Sequence, residues 1–122
     1  MLDKESRRLS GQESDITLEE YEAWTQNVWE CDTVSDRRHP APFPPELPKR
    51  LMKLYSYKGS RVLDPFVGSG TTLLVAEQLG RNGIGIELSR AYLPLIQETV
   101  GDSLKVLTLN EKQVVMTPLG KL

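Results

Sequence analysis

An aspartate, two glycines, a threonine pair and a glutamate fall in one register between residues 64 and 87. Asp64 ends a short apolar run, Val62-Leu63. Gly68 and Gly70 follow and suit a tight turn. Glycine adopts backbone angles that other residues resist, and it lets a ligand approach the main chain closely. Thr71 or Thr72 can cap a helix that begins there, whose first amides lack partners. Glu87 lies 23 residues after Asp64, at the spacing where an acid usually holds a ribose diol. The glycine pattern is G-x-G, and Leu73 occupies the place of a third glycine. A pyrophosphate on the helix is therefore the weaker fit. A ligand with a ribose but no phosphate fits better, and S-adenosylmethionine is the candidate. A bare G-x-G marks only a strand-to-helix turn. The joint register of both acids, the glycines and the threonines is what separates this stretch from one.

The elements that must position these residues form a βαβ unit, Arg61 to Glu87. From Thr71 to Leu79, the residues Thr72, Val75, Ala76 and Leu79 follow the spacing of one helix face. Gly80 and Gly83 stop the helix. Ile84 and Ile86 flank Gly85 in a second strand that ends on Glu87. Ser89 is placed to cap a helix over about 90–100, with Tyr92, Leu95, Ile96 and Thr99 inward. Gly101-Asp102 ends it. Leu104 to Leu109 suits a third strand, and Val114 to Met116 a fourth strand or the start of a loose tail.

Upstream, residues 1–15 are polar, without periodicity, and read as a mobile tail. Ile16 to Trp24 suits a helix with Thr17 as N-cap, Glu20 completing a capping box, and Leu18, Tyr21 and Trp24 on one face. Val28 to Cys31 suits a short strand. Residues 39–48, HPAPFPPELP, hold five prolines. Such a segment is stiff and extended, and can wall a pocket. Glu46 to Tyr57 suits a helix with Pro48 tolerated in its first turn. The reading is an α/β chain in four parts: a tail at 1–15, a helix-and-strand segment at 16–38, a ligand-binding domain at 39–110 and a tail at 111–122.

Composition is that of an ordinary globular protein, 39% hydrophobic and 26% charged over 122 residues. No apolar run reaches the length of a membrane span. The first residues lack the apolar core of a secretory signal. The single cysteine, Cys31, excludes an intramolecular disulfide, and with one histidine it argues against a metal site. A reducing, cytoplasmic setting is the default. Net charge is −2, unevenly spread. Residues 1–36 hold 3 Lys/Arg against 10 Asp/Glu, whereas 37–61 hold 7 against 1. The basic block, Arg37, Arg38, Lys49, Arg50, Lys53, Lys58 and Arg61, suits either phosphate contact or a solvated face.

Three runs together resemble a known family: HPAPFPPELPKRLMKLYS, VLDPFVGSGTT and LGRNGIGIELS-x-x-Y. They look like the C-terminal, cofactor-binding half of DNA amino-methyltransferases, in the class whose catalytic motif precedes the cofactor motif. EEYEAWTQNVWE is similar to the segment before that half, so the resemblance covers about Leu18 to Tyr92. It implies a partial Rossmann-like S-adenosylmethionine-dependent methyltransferase fold, an open sheet of about 3–4 strands with flanking helices. It implies DNA as substrate and methyl transfer to the exocyclic nitrogen of cytosine or adenine.

Residue roles follow from the resemblance. His39, Pro40, Pro42 and Phe43 would line the methionine end of the cofactor pocket. Asp64, with Pro65 and Phe66 at the end of the first strand, would face the cofactor's amino group. Gly68, Ser69, Gly70 and Thr71 would form the turn beneath it. Glu87 would take the ribose hydroxyls, and Leu88 would border the adenine.

The family's catalytic loop is an acid, Ser or Asn, then Pro-Pro, then an aromatic, and it receives a base flipped out of the duplex. No such loop occurs in this chain. Phe43-Pro44-Pro45-Glu46 has its flanking groups reversed, and Asp64-Pro65-Phe66 belongs to the cofactor turn. No catalytic residue is therefore assigned. So few strands would leave an open sheet edge and a bare apolar face. The expectation is a partner, either a separate polypeptide with the catalytic half or a second copy of this chain, or none if the chain is a fragment of a longer protein. The alternative is a non-catalytic module binding S-adenosylmethionine or a nucleotide.

Overall fold

The computed structural model describes residues 12–33, 42–109 and 112–117, the two C-terminal strands by backbone alone. Helix α1 spans Leu18–Trp24. The Thr17 hydroxyl accepts from the Glu20 amide at 3.0 Å, and a Glu20 carboxylate oxygen accepts from the Thr17 amide at 3.1 Å. The capping box thus forms as its sequence predicts. Trp24 is buried, but Leu18 stays 69% exposed and does not join the inner face.

The strand expected at Val28 to Cys31 does not form; that segment carries no ladder pairing. The indole of Trp29 instead donates to the Trp24 carbonyl at 2.8 Å. Both rings flank the Arg50 guanidinium, each centroid 5.6 Å from it. Cation–π stacking fixes the aromatic residues that had suggested a strand.

Helix α2 spans Glu46–Tyr55, two residues shorter than expected. The Ser56 hydroxyl donates to the Met52 carbonyl at 2.6 Å and closes it. Strand β1, Arg61–Asp64, pairs in parallel with β2, Asn82–Glu87, from Arg61↔Asn82 to Asp64↔Gly85. Helix α3, Thr71–Gln78, joins them and packs between α2 and α4, the latter spanning Leu93–Val100. One 3₁₀ turn, Arg90–Tyr92, leads into α4, and another, Gly101–Ser103, leaves it. Ser89 flanks the first turn without a side-chain cap.

The core has two parts, one on each flank of α3. Met52, Val75 and Ala76 pack with Val62 and Leu79. Val67, Leu73, Ile96 and Val100 form the other. Leu73, the residue in place of a third glycine, is fully buried there. That position is thus filled by a side chain packed with Val67 and with Ile96 and Val100 of α4, where a third glycine would have left room for close approach.

Strand β3, Lys105–Leu109, and strand β4, Lys112–Thr117, form an antiparallel hairpin. β4 also pairs antiparallel with β2, from Gly83↔Thr117 to Glu87↔Gln113, so the sheet order is β1-β2-β4-β3. The boundary drawn at residue 110 therefore cuts this hairpin. Residues 112–117 are sheet and not tail, because β2 offers an open edge that a strand must satisfy. Among the described residues nothing pairs with the other edge of β1, and Leu63 is 60% exposed.

The expected tail also gives way at its C-terminal end. The Lys58 amide donates to the Glu13 carbonyl at 3.0 Å. Arg81 is 1% exposed, and its guanidinium meets both Asp15 carboxylate oxygens at 2.5 and 2.8 Å. It also donates to the Leu79 and Ser56 carbonyls. A buried guanidinium needs this many acceptors. Burial alone would raise the pKa of Asp15, but the hydrogen bonds and charge of Arg81 outweigh it and hold the carboxyl below its ordinary value.

Candidate functional site

The site is built where β1 ends, the glycine turn begins and β2 ends. Asp64 Oδ1 accepts from the Phe66 amide at 3.0 Å, which closes a local turn. Its Oδ2 accepts from the Thr72 hydroxyl at 2.6 Å. Gly68 and Gly70 take φ values of 55° and 90°, in the left-handed region that glycine adopts without strain. The Gly70 amide donates to the Val67 carbonyl at 3.0 Å, and the Val67 amide donates to the Ile86 carbonyl at 3.1 Å. The turn is thus hydrogen-bonded to itself and to β2.

Gly85 makes that docking possible. A Cβ on it would stand 2.8 Å from Val67 Cβ, closer than carbon atoms tolerate. Neither threonine caps α3, contrary to expectation. Gly70 is the N-cap, with no side-chain cap bond. The Thr71 hydroxyl lies 3.1 Å from that of Ser69, and Thr72 turns back to Asp64.

At the tip of β2, Glu87 reaches across to the turn. One carboxylate oxygen accepts from the Gly68 amide and the other from the Ser89 amide, both at 2.9 Å. Two backbone donors fix its orientation, and each oxygen retains a further lone pair. Phe66 is 85% exposed and Leu88 72% exposed, so both present apolar surface beside these acids.

The cavity of about 270 Å³ next to β1 is lined by Asp64, Thr72, Phe43, Leu51, Met52 and Leu63, among others. The described end of the proline segment and the β1 acid therefore share one wall system. Glu87, Leu88 and the glycine turn do not line it; they lie across the turn, joined to Asp64 through Phe66 and Gly68. Pro42 lines a second cavity of about 380 Å³ with Trp29 and Phe43. His39 and Pro40 lie outside the described residues.

The basic block is in part neutralised within the chain. Lys53 pairs with Glu20 at 3.0 Å and Arg50 with Glu46 at 3.0 Å, while Lys49 lies 3.8 Å from Glu46. These residues of α2 are internal partners before they are phosphate contacts. Thr72 belongs to the register read from the sequence, but as a possible helix cap; its bond to Asp64 is what sequence reasoning missed. Its only signal is its place in the first turn after G-x-G, which brings it back over the end of β1.

No cluster of potential metal ligands occurs among the described residues, and no helix there is long and apolar enough to cross a membrane. A DNA methylase family model matches residues 2–98. The chain is 42% identical over 95 residues to the type II methyltransferase M.MjaI of Methanocaldococcus jannaschii, covering 72% of this chain and 31% of that protein. It is 39% identical to M.MthZI of Methanothermobacter thermautotrophicus, covering 84% and 31%. A crystal structure from Thermus thermophilus, described as a putative DNA modification methylase complexed with S-adenosyl-L-methionine, superposes with a TM-score of 0.60. It is 33% identical, with 84% of this chain and 40% of that chain covered. The chain thus spans about a third of the curated relatives it matches. The partial Rossmann-like sheet, the glycine turn with its two acids, and a family match over most of the sequence agree: this chain belongs to the DNA methylase family.

Proposed function

We propose that this chain is the S-adenosylmethionine-binding part of a DNA amino-methyltransferase, one that methylates an exocyclic nitrogen of cytosine or adenine. The observation that carries the reading is the paired fixing of two acids on one glycine turn. Glu87 is oriented by the Gly68 and Ser89 amides, and Asp64 by the Phe66 amide and the Thr72 hydroxyl. The similarity to a structure holding S-adenosyl-L-methionine supports the choice of ligand.

In this reading the free lone pairs of Glu87 accept from the ribose hydroxyls. Asp64 attracts the cofactor's ammonium group. Phe43, with His39, Pro40 and Pro42 nearby in sequence, walls the methionine end. Leu88 borders the adenine, and Phe66 with Pro65 closes the end of β1 beside it. Gly68, Ser69, Gly70 and Thr71 form the floor. When bound, S-adenosylmethionine supplies a methyl group on a positively charged sulfur, ready for attack by a nucleophile. This chain's residues hold and orient that donor; they do not activate the base.

Activation of a base amine needs an acceptor for its protons and an aromatic to stack the flipped base. The acid-Pro-Pro-aromatic loop that does this in the family is not in these 122 residues. We assign it to a second polypeptide or to another part of a longer protein, in a cytoplasmic setting with DNA as substrate. The edge of β1 that lacks a pairing strand among the described residues, and the exposed Leu63, support such a completion. A mixing assay tests this. The purified chain alone should transfer no methyl group to DNA, and transfer should appear when a protein bearing the catalytic loop is added. Transfer without any second polypeptide would refute the assignment. The lack of the loop also favours a second reading, a non-catalytic module binding the same ligand. Co-purification with a loop-bearing protein would decide against it.

A further inference from the structure

We propose that Thr72 is a positioning residue for the cofactor: it holds the Asp64 carboxylate in the one orientation that presents its free lone pairs to the ammonium group of S-adenosylmethionine. This inference rests on the reading of Asp64 given above. Thr72 is 8% exposed and sits in the first turn of α3. Its hydroxyl donates to Asp64 Oδ2 at 2.6 Å, while the Phe66 amide donates to Oδ1 at 3.0 Å. With one fixed donor on each oxygen, the carboxylate cannot rotate about its terminal bond without losing both. Each oxygen keeps a second acceptor site.

The surroundings specify what those sites can take. Asp64 and Thr72 both line the cavity beside β1, whose other walls are apolar, Phe43, Leu51 and Met52 among them. Among the described residues, Asp64 is the one charged side chain lining it. A carboxylate against apolar walls attracts a cation more strongly than it would in water. The aliphatic tail of an amino acid, carrying an ammonium group, matches that combination. Thr72 lies two residues past the N-cap, Gly70, so its hydroxyl is not placed to cap the helix. It bonds instead to a carboxylate eight positions earlier, at the end of β1.

Two ligands separate positioning from mere structure. S-adenosylhomocysteine carries the amino-acid tail, and methylthioadenosine keeps the nucleoside and lacks the tail. Thr72→Val should weaken binding of S-adenosylhomocysteine by about tenfold, the loss typical of one hydrogen bond to a charged group. It should leave methylthioadenosine binding unchanged. Thr72→Ser, which keeps the hydroxyl, should bind both as the parent chain does. Because Thr72 acts through Asp64, adding Thr72→Val to Asp64→Asn should cause no further loss.

Equal loss of both ligands would overturn the proposal and make Thr72 a packing residue. So would unchanged affinity for S-adenosylhomocysteine, or losses that add in the double variant. If circular dichroism shows Thr72→Val unfolded, Thr72→Ala is titrated with the same two ligands and judged by the same outcomes. A parent chain that binds neither ligand would instead sink the cofactor reading itself, and this inference with it.

Discussion

The main-chain amide of Gly68 donates to the carboxylate of Glu87 at 2.9 Å, across 19 residues of sequence. This bond joins the glycine turn to the tip of β2. In the proposed reading the acid has two tasks at once: it orders the turn, and it receives the ribose diol. Glu87→Ala removes both. The expected result is a loss of S-adenosylmethionine affinity of about 10- to 100-fold, from the roughly 1.5–3 kcal/mol of a charge-assisted hydrogen bond. Calorimetric titration of the variant reads it, and an unchanged affinity counts against the role given to Glu87.

Gly85 and Val67 give a prediction about stability. A Cβ at position 85 would meet Val67, which is 1% exposed and has no space to retreat. Gly85→Ala should destabilise the chain by about 1–3 kcal/mol, the usual cost of overpacking. Urea unfolding measures it. Val67→Gly, which removes the Cβ as well as both methyl carbons, opens the space, so the double variant should lose less than the two single losses combined. Strict additivity would mean that the contact does not govern the docking of the turn on β2.

The Asp15–Arg81 pair makes a third. Arg81 has a fully buried side chain, and Asp15 is its only ion-pair partner among the described residues. Asp15→Ala would leave a guanidinium uncompensated. Breaking such a pair costs roughly 3–5 kcal/mol, with the lower end expected because water reaches Asp15 in part. The pH dependence follows from the depressed Asp15 pKa. Its contribution is fully present above the ordinary carboxylate pKa of about 4, and is lost as pH falls through the lower folded value. Thermal melts at falling pH should show a steep acid loss in the parent chain and a shallower one in Asp15→Ala. Parallel pH profiles would contradict the pairing.

Much of this was legible in the sequence because it is local. The βαβ unit follows from the helix spacing of Thr72, Val75, Ala76 and Leu79 between two glycine stops. The capping box at Thr17 and Glu20 is a four-residue pattern. The four prolines at 40, 42, 44 and 45 argue against helix and central strand before α2 begins at Glu46, and Pro48 is tolerated in its first turn.

What was hidden depends on distant partners. Trp29 looked like a strand residue, yet its ring is used by Arg50, 21 positions away. Val114 to Met116 is too short an apolar run to separate a strand from a tail. Only the open edge of β2 decides it. Asp15 looked like the end of a tail because its partner lies 66 residues on. The basic block looked available to phosphates, but Glu20 and Glu46 already neutralise part of it.

One titration bears on all of this most directly: purified chain against S-adenosylmethionine, with NAD in a parallel cell. Saturable binding of S-adenosylmethionine at one site per chain, with no response to NAD, is the result predicted by a buried Leu73 and an amide-anchored Glu87. Binding of NAD with no uptake of S-adenosylmethionine would contradict it.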